Sequence, residues 1–504
     1  MPSLTDLAYS GAAVADSRPW PRCVIDAEAW GFAIDEIAAG RWILSGLWGE
    51  PNAVHMALID EETAKFGIFT VDCRGGAFPA VSRRNASAIR LERAIRDVWG
   101  HEAVGAPDAR PWLDHGCWDD RLAPHGGAGA APRYQEYPFL PVNGEALHQI
   151  PVGPVHAGVI EPGHFRFTAS GETVVRLEER LGYAHKGVEK LMHGADLKRA
   201  LAISERISGD STAAYAIAFS RAVEAAIDVK APPRAAWIRA LILELERIAN
   251  HLGDFGAICN DAAFTLIQAH CSVLREQTLR CADACFGHRL MRDVIAPGGV
   301  RRNLEPPALD AILALIEKVG REFPALVDKY EETSSLQDRT VGTGRLDKAL
   351  ARQFGAGGFI GRASGRRFDA RKFFAFAPYD ALNFEIHVMD AGDVDARAQV
   401  RIREIHESLG LIRQIIRQMP AGPVQTDIDD KTKGGEGVSI VEGFRGEILA
   451  WIRIGLDGRV DHCHMRDPSW FQWPLLEAAV EGNIVADFPL CNKSFNCSYS
   501  GHDL

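Results

Sequence analysis

Residues 237–256 read WIRALILELERIANHLGDFG, and this stretch limits the fold more than any other. Ile238, Leu241, Leu245, Ile248 and Leu252 recur at spacings of three and four, so they fall on one stripe of an α-helix. A helix with that stripe belongs inside a bundle. Glu244, Arg247 and His251 share the helix and the spacings, and they meet along one ridge. A solvated face or a structural ion-pair ladder explains such a ridge; polar groups serving a function near a helical core are the other reading.

Around this helix the chain divides by pattern. Residues 186–298 are strongly helical, and a second helical block covers 395–419 and stops at Pro420. Residues 20–80 instead alternate short apolar runs with Gly, Pro and Asp (RWILSGLWG, AVHMALID, KFGIFTVDC), which predicts a small sheet with a few helices. The helical SAIRLERAIRDVWG follows, and then residues 106–141, rich in Pro, Gly and Ala and without periodicity, read as a linker over a surface. Alternation resumes over 147–176, and EGFRGEILAWIRI with the final fifty residues reads as strands and turns. The fold class is α+β: a small mixed domain over 1–105, an extended linker over 106–145, and a large, mainly helical domain over 146–504 with β segments near both ends. The length of 504 residues agrees, exceeding the roughly 250–300 at which single cores stop growing.

Composition removes several function classes. An apolar fraction of 47% with 24% charged residues and a mean hydropathy of -0.09 exclude a disordered chain. A net charge of -11 leaves no basic excess to neutralise phosphates, so nucleic acid is excluded as the main partner. No run approaches the roughly 18 apolar residues of a membrane span, and MPSLTDLAYSGAAVADSRPW lacks a basic start followed by an apolar run. A cytoplasmic location is expected, with docking on a membrane protein left open. The ten cysteines include no Cys-x-x-Cys pair, which points to buried free thiols and away from zinc-ribbon or cluster signatures. Cys281 and Cys285 share a helix face in LRCADACFGHRL, where core packing explains them better than metal binding.

One segment raises a sharper question. In ERISGDSTAAY (205–215), Ser208 and Ser211 have the spacing of a Cys-x-x-Cys metal grip, with oxygen standing where sulfur would bind. His156, His164 and His185 sit in Gly- and Pro-rich turns, where loops often carry function, although each singly reads as structural.

In chain order, VGPVHAGVIEPGHFRF (152–167), GYAHKGVEKL (182–191), ERISGDSTAAY, PPRAAWIRALILELERIANHLGDFG (232–256) and PGGVRR (297–302) resemble two related protein types. One is the large catalytic subunit of membrane-bound NiFe hydrogenases, formate hydrogenlyase included; the other is the quinone-site subunit of respiratory complex I. GRASG (361–365), EGFRGE (442–447) and RDPSWFQWPLL (466–476) extend the resemblance. RRNASAIRLERAIRDVWG (83–100) is similar to the small complex I subunit fused ahead of the large one in some relatives.

The resemblance implies a lost metal site. Hydrogenases of this type hold their metals with two Cys-x-x-Cys boxes, which fall on Ser208 and Ser211 and on Ser494 and Cys497, so three of four thiolates are replaced. A neutral serine hydroxyl is a hard, weak donor to a soft metal pair, and Cys497 alone cannot bridge two metals. Leu504 follows Cys497 by seven residues, which matches a chain without the tail removed after nickel insertion. No metal is expected on this chain. In the complex I relatives the matching cavity takes a quinone headgroup beside an iron–sulfur cluster of a neighbouring subunit. The relatives' His-Pro-x-x-His-Gly is His156-Ala157-Gly158 here, so only the first histidine aligns, and their quinone-holding tyrosine falls on Phe219. Tyr215 lies one turn earlier.

These correspondences imply His156, Asp210 and Tyr215 as proton donors, and Arg445 as the basic side chain of EGFRGE at the cavity. Ser208, Ser211, Phe219, Ser494 and Cys497 would line the degenerate metal or quinone cavity. The implied partners are an iron–sulfur small subunit and membrane-arm subunits, with the chain peripheral on the cytoplasmic face of the inner membrane and NAD serving only the whole complex. The implied function is a peripheral-arm subunit that passes electrons to a quinone or couples redox to the membrane arm. A non-catalytic scaffold is the alternative, and an active NiFe hydrogenase is a third reading.

Overall fold

The computed structural model describes residues 3–116, 118, 136–428 and 434–504. Residues 119–135, the middle of the expected linker, and Cys117 lie outside the described residues.

The N-terminal region builds a five-stranded sheet. Its strands are β1 (Ala12–Ala13), β3 (Arg22–Val24), β4 (Ile43–Glu50), β5 (Ala53–Asp60) and β6 (Lys65–Asp72), in spatial order β1-β3-β6-β5-β4, while β2 (Ser17–Arg18) leaves to join another sheet. Side chains alternate across a strand, so each face must be covered separately. Leu44, Leu47, Val54, Met56 and Leu58 face one core; Ile43, Trp48, Ala57, Ile59 and Phe66 face another, shared with the C-terminal sheet. Two helices flank the strands: α1 (Ala27–Ala38), capped by the Asp26 carboxylate on the Ala29 N–H, and α2 (Ile89–Trp99), closed by left-handed Gly100. Three antiparallel strands follow, β7 (Leu147–Val152), β8 (His164–Ser170) and β9 (Thr173–Arg180), with β8 in the middle.

The helical centre consists of α3 (Thr212–Ala226), α4 (Pro233–Asp261), α5 (Thr265–Phe286), α6 (Pro306–Glu332) and α7 (Val394–Gln418). The stripe residues of α4 are all buried, each burial stabilising the bundle by about 1.5–3 kcal/mol. The ridge beside them is buried too, so it is no solvated face. Arg247 lies 3.4 Å from Glu244 and 3.5 Å from Glu404, and His251 lies 2.7 Å from Glu404. Arg362 adds contacts to Glu404 and Glu442, and Arg371 to Glu244 and Asp369.

The hairpin β10 (Gly435–Gly443) and β11 (Gly446–Ile454) carries EGFRGE at its turn, and β12 (Val460–Arg466) extends it. β2 pairs in parallel with β10, so the N-terminal region completes the C-terminal sheet. One apolar core likewise runs from Leu4 through Phe165 to Tyr499.

After Arg466 the chain departs from the sequence expectation of strands and turns. It forms three helices, α8 (Ser469–Val480), α9 (Phe488–Phe495) and α10 (Tyr499–Asp503). Helix α8 is buried on nearly every side and carries Pro474 internally, so it shows no one-sided stripe by which a sequence reveals a helix. Helix exceeds strand, 45% against 19%, and most strand pairs are antiparallel, which makes the fold α+β. Among the described residues no helix is long and apolar enough to cross a membrane.

Candidate functional site

The Ser208–Ser211 box is a turn leading into α3, closed by the Ser211 N–H donating to the Ser208 carbonyl at 3.0 Å. Ser211 occupies the N-cap position of α3 but makes no capping bond with its side chain. Glu246, from the middle of α4, caps the helix instead: its carboxyl accepts the N–H groups of Ala213 at 2.7 Å and Ala214 at 3.1 Å. The Ser211 hydroxyl is left to accept from Arg445 at 3.3 Å.

Arg445 reaches the box from the β10–β11 turn. Gly443 and Gly446 face each other across it, and Gly446 has φ +137°. A Cβ on neighbouring Gly358 would lie 2.1 Å from the Arg445 carbonyl oxygen, so only glycine lets the turn seat this deeply. The guanidinium donates to both Asp210 oxygens at 2.6 and 2.5 Å and to the Asn496 carbonyl at 2.5 Å, and it lies over the Phe444 ring at 4.5 Å. Burial alone would raise the Asp210 carboxyl, but the Arg445 charge and hydrogen bonds outweigh it and hold the pKa below the usual value.

The C-terminal segment closes the box from the other side. The Ser208 hydroxyl donates to Asp210 Oδ1 at 2.8 Å and meets the Ser498 hydroxyl at 2.9 Å. The Gly501 N–H donates to the same Ser498 oxygen at 2.9 Å. A Cβ on Gly501 would lie 2.5 Å from Asp467 Oδ2 and 2.9 Å from Ser498 Oγ, so this glycine separates the two groups by contact distance on either side. Asp467 in turn accepts the Tyr215 hydroxyl at 2.5 Å and the Ser469 N–H at 2.8 Å. Burial, followed by the Asp467 charge, pushes Tyr215 well above the ordinary phenol range.

Of the residues singled out in the sequence, Ser208, Asp210, Ser211 and Arg445 therefore form one hydrogen-bonded cluster, and Tyr215 adjoins it through Asp467. Ser494 stands apart. Its hydroxyl accepts from Arg397 at 2.9 Å and donates to the Cys491 carbonyl at 2.6 Å, facing α7. The cause is the end of α9: left-handed Asn496 reverses the chain, so Ser498 rather than Ser494 returns to Ser208. Cys497 is buried in the apolar core, and burial pushes its thiol far above the ordinary value. Phe219 is fully buried in the helical core. His156 lies outside the cluster, 3.2 Å from the Tyr499 hydroxyl, with its pKa lowered by burial.

Ser498, Gly501, Asp467 and Glu246 escaped the sequence reading. Ser498-Tyr499-Ser500-Gly501 repeats the spacing of Ser208-Gly209-Asp210-Ser211, and that repeat was the available signal. The donor set does not fit a nickel–iron centre: two hydroxyls already bonded to each other, a third bonded to Arg445, and a glycine without a side chain offer no thiolate.

A box at the start of one helix, an arginine hairpin turn and a returning C-terminal segment define a large subunit of the hydrogenase and complex I type. Residues 186–259 match the family model "Nickel-dependent hydrogenase" and residues 262–433 match "Respiratory-chain NADH dehydrogenase, 49 Kd subunit". The chain is 31% identical over 484 residues to formate hydrogenlyase subunit 5 of Escherichia coli (strain K12), covering 92% of this chain and 85% of that one. It is 30% identical over 467 residues to hydrogenase-4 component G of the same organism, covering 90% and 80%. Among solved structures it is similar to a chain of the membrane-bound sulfane sulfur reductase, an archaeal respiratory membrane complex, with TM-score 0.68, 26% identity, and coverage of 72% of this chain and 100% of that one. This chain belongs to the family of large subunits that includes formate hydrogenlyase subunit 5 and hydrogenase-4 component G, whose members form membrane-bound hydrogenase and complex I-like assemblies.

Proposed function

We propose that this chain is the large subunit of a membrane-bound complex of its family that works without nickel, using the former metal box as a protonatable coupling centre. The observation that carries this reading is the direct 2.9 Å contact between the Ser208 and Ser498 hydroxyls, in line with the Arg445–Asp210 pair. Hydroxyls take the place of ligands and hydrogen bonds the place of coordination. The vacated ligand set is then Ser208, Ser211, Ser498 and Gly501, with Ser494 and Cys497 outside it.

In this role the chain docks an iron–sulfur small subunit on one side and membrane-arm subunits on the other, peripheral on the cytoplasmic face. NAD, where used, is bound elsewhere in the complex. Arg445 and Asp210 respond to charge arriving on the partner's cluster, because a buried ion pair feels nearby charge through a low dielectric.

A second reading, reduction of a quinone headgroup at this site, is favoured by the Tyr215–Asp467 pair at 2.5 Å. Two electrons from the partner's iron–sulfur cluster and two protons, one from the Tyr215 hydroxyl and one from solvent, would give the quinol, the Tyr215 phenolate then regaining its proton from solvent. The purified complex, assayed for hydrogen–deuterium exchange from H2, tests the main reading: no exchange is expected while its clusters still reduce, and turnover comparable to a hydrogenase of this family would overturn it. Tyr215→Phe separates the two readings, since quinone reduction at this site requires a loss of at least about tenfold.

A further inference from the structure

A cavity of about 180 Å³ opens between α4 and α5, and no role described above uses it. Leu245, Ala249, Leu279 and Ala282 form its apolar walls. Its inner wall is polar and belongs to the site: Asp210, Glu246 and Asn250. Arg275 and Arg289 also line it. The volume admits several waters at about 30 Å³ each. The Asp210 side chain, although paired with Arg445, keeps 36% of its surface exposed.

Glu246 is the unusual member. Four other buried acids of the helical domain are held by arginines, Glu224 by Arg239, Glu244 by Arg371, Glu404 by Arg362 and Asp254 by Arg401. Glu246 has only the two backbone N–H groups at the start of α3, and among the described residues no lysine or arginine pairs with it. A carboxyl that caps a helix without a counter-charge can hold or release a proton while keeping both bonds, because backbone donors serve either form through its oxygens. Asn250 fixes the two segments beside each other, donating to the main-chain carbonyl of Asp210 at 2.8 Å and to that of Glu246 at 2.9 Å.

From Asp210 a hydroxyl line continues inward, Asp210 to Ser208 at 2.8 Å and Ser208 to Ser498 at 2.9 Å. Beyond Gly501 stand Asp467 and Tyr215. Resting on the coupling role proposed above, we propose that the α4–α5 cavity is the proton inlet of the buried box, with Glu246 the group that holds the proton at its inner wall. A hydronium in the cavity protonates the Glu246 carboxylate and leaves as water. Water in the cavity carries the Glu246 proton to Asp210, which surrenders one bond from Arg445; Ser208 takes that proton and gives its own to Ser498, and Ser498 gives its own to the Asp467 carboxylate across Gly501. No electron moves in these steps.

The charges facing Glu246 agree with this use. Burial and the Asp210 charge raise its pKa while the two N–H groups and Arg247 lower it, the balance standing at about 8, so both forms are populated near neutral pH. Two experiments on the assembled complex test the proposal. Infrared difference spectra recorded as pH rises through about 8 should show protonated carboxyl bands lost in the wild type, Glu92 and Glu442 contributing at about 7, and the component titrating near 8 should be missing in Glu246→Gln. Ala249→Leu, which fills the cavity without touching the acid, should slow transfer of deuterium from D2O into that component by at least about tenfold. A component of undiminished intensity in Glu246→Gln overturns the assignment of the proton holder, and unchanged deuterium transfer in Ala249→Leu overturns the inlet. Neither readout needs turnover, so both stand apart from the test of the coupling role; proton uptake on cluster reduction that is equally fast in Glu246→Gln would also overturn the relay.

Discussion

Replacing Arg445 by methionine removes the cation paired with Asp210. The side chain makes four hydrogen bonds, to both Asp210 oxygens, the Ser211 hydroxyl and the Asn496 carbonyl, and lies on the Phe444 ring. Breaking a buried pair by removing one partner typically costs about 3–5 kcal/mol, because the stranded charge loses more than the contact gave. Asp210 retains 36% exposure toward the α4–α5 cavity and can rehydrate, so the low end, about 3 kcal/mol, is expected. The penalty should depend on pH with a definite sign. In the wild type the Asp210 pKa is depressed below 3.8, so the pair's stabilisation is present above that value and lost as pH falls through the folded pKa. In Arg445→Met the carboxyl pKa rises instead, and acidification should recover stability by neutralising the stranded acid. Denaturant titration of wild type, Arg445→Met, Asp210→Asn and the double variant forms a cycle. The double variant should lose less than Arg445→Met alone, and the difference should shrink at acid pH. Equal losses in the single and double variants, independent of pH, would refute the claim that the pair is energetically coupled.

Cysteines introduced at 208 and 498 should form a disulfide on mild oxidation, since their hydroxyls stand 2.9 Å apart, whereas cysteines at 208 and 494 should not; mass spectrometry of the oxidised variants reads both. Arg362→Met removes the arginine from buried Glu442 and one of the partners of Glu404 and should destabilise by about 3 kcal/mol in the same titration. Because the folded pKa of Glu246 is raised from 4.5 to about 8, the native state binds the extra proton between those values and stability declines as pH rises through them. Glu246→Gln should therefore show a flatter decline over that window than the wild type.

The helical centre was legible because α4 carries a regular apolar stripe, and Arg445 because the EGFRGE segment carries the resemblance. The first serine box was legible from its spacing alone. The second was not, since Ser494–Cys497 and Ser498–Gly501 share one spacing and only the left-handed turn at Asn496 decides which pair reaches Ser208. Glu246 was hidden for a different reason: its partners are the N–H groups of α3, 33 and 32 residues away in the chain. Its place on the apolar helix showed nothing of that cap. Of the ridge of Glu244, Arg247 and His251, Arg247 meets Glu244 as a structural ion pair while His251 pairs with Glu404, and the arginine at 362 and the acids at 404 and 442 that surround the ridge come from distant elements.

The central claim is that the former ligand box is occupied by its own hydrogen bonds and binds no nickel. Elemental analysis of the intact purified complex, isolated from cells grown with nickel, tests this most directly. The account predicts nickel far below one atom per copy of this chain, with iron no greater than the partner's clusters require. Nickel near one atom per chain, lost on replacing Ser208 and Ser498 by alanine, would contradict it.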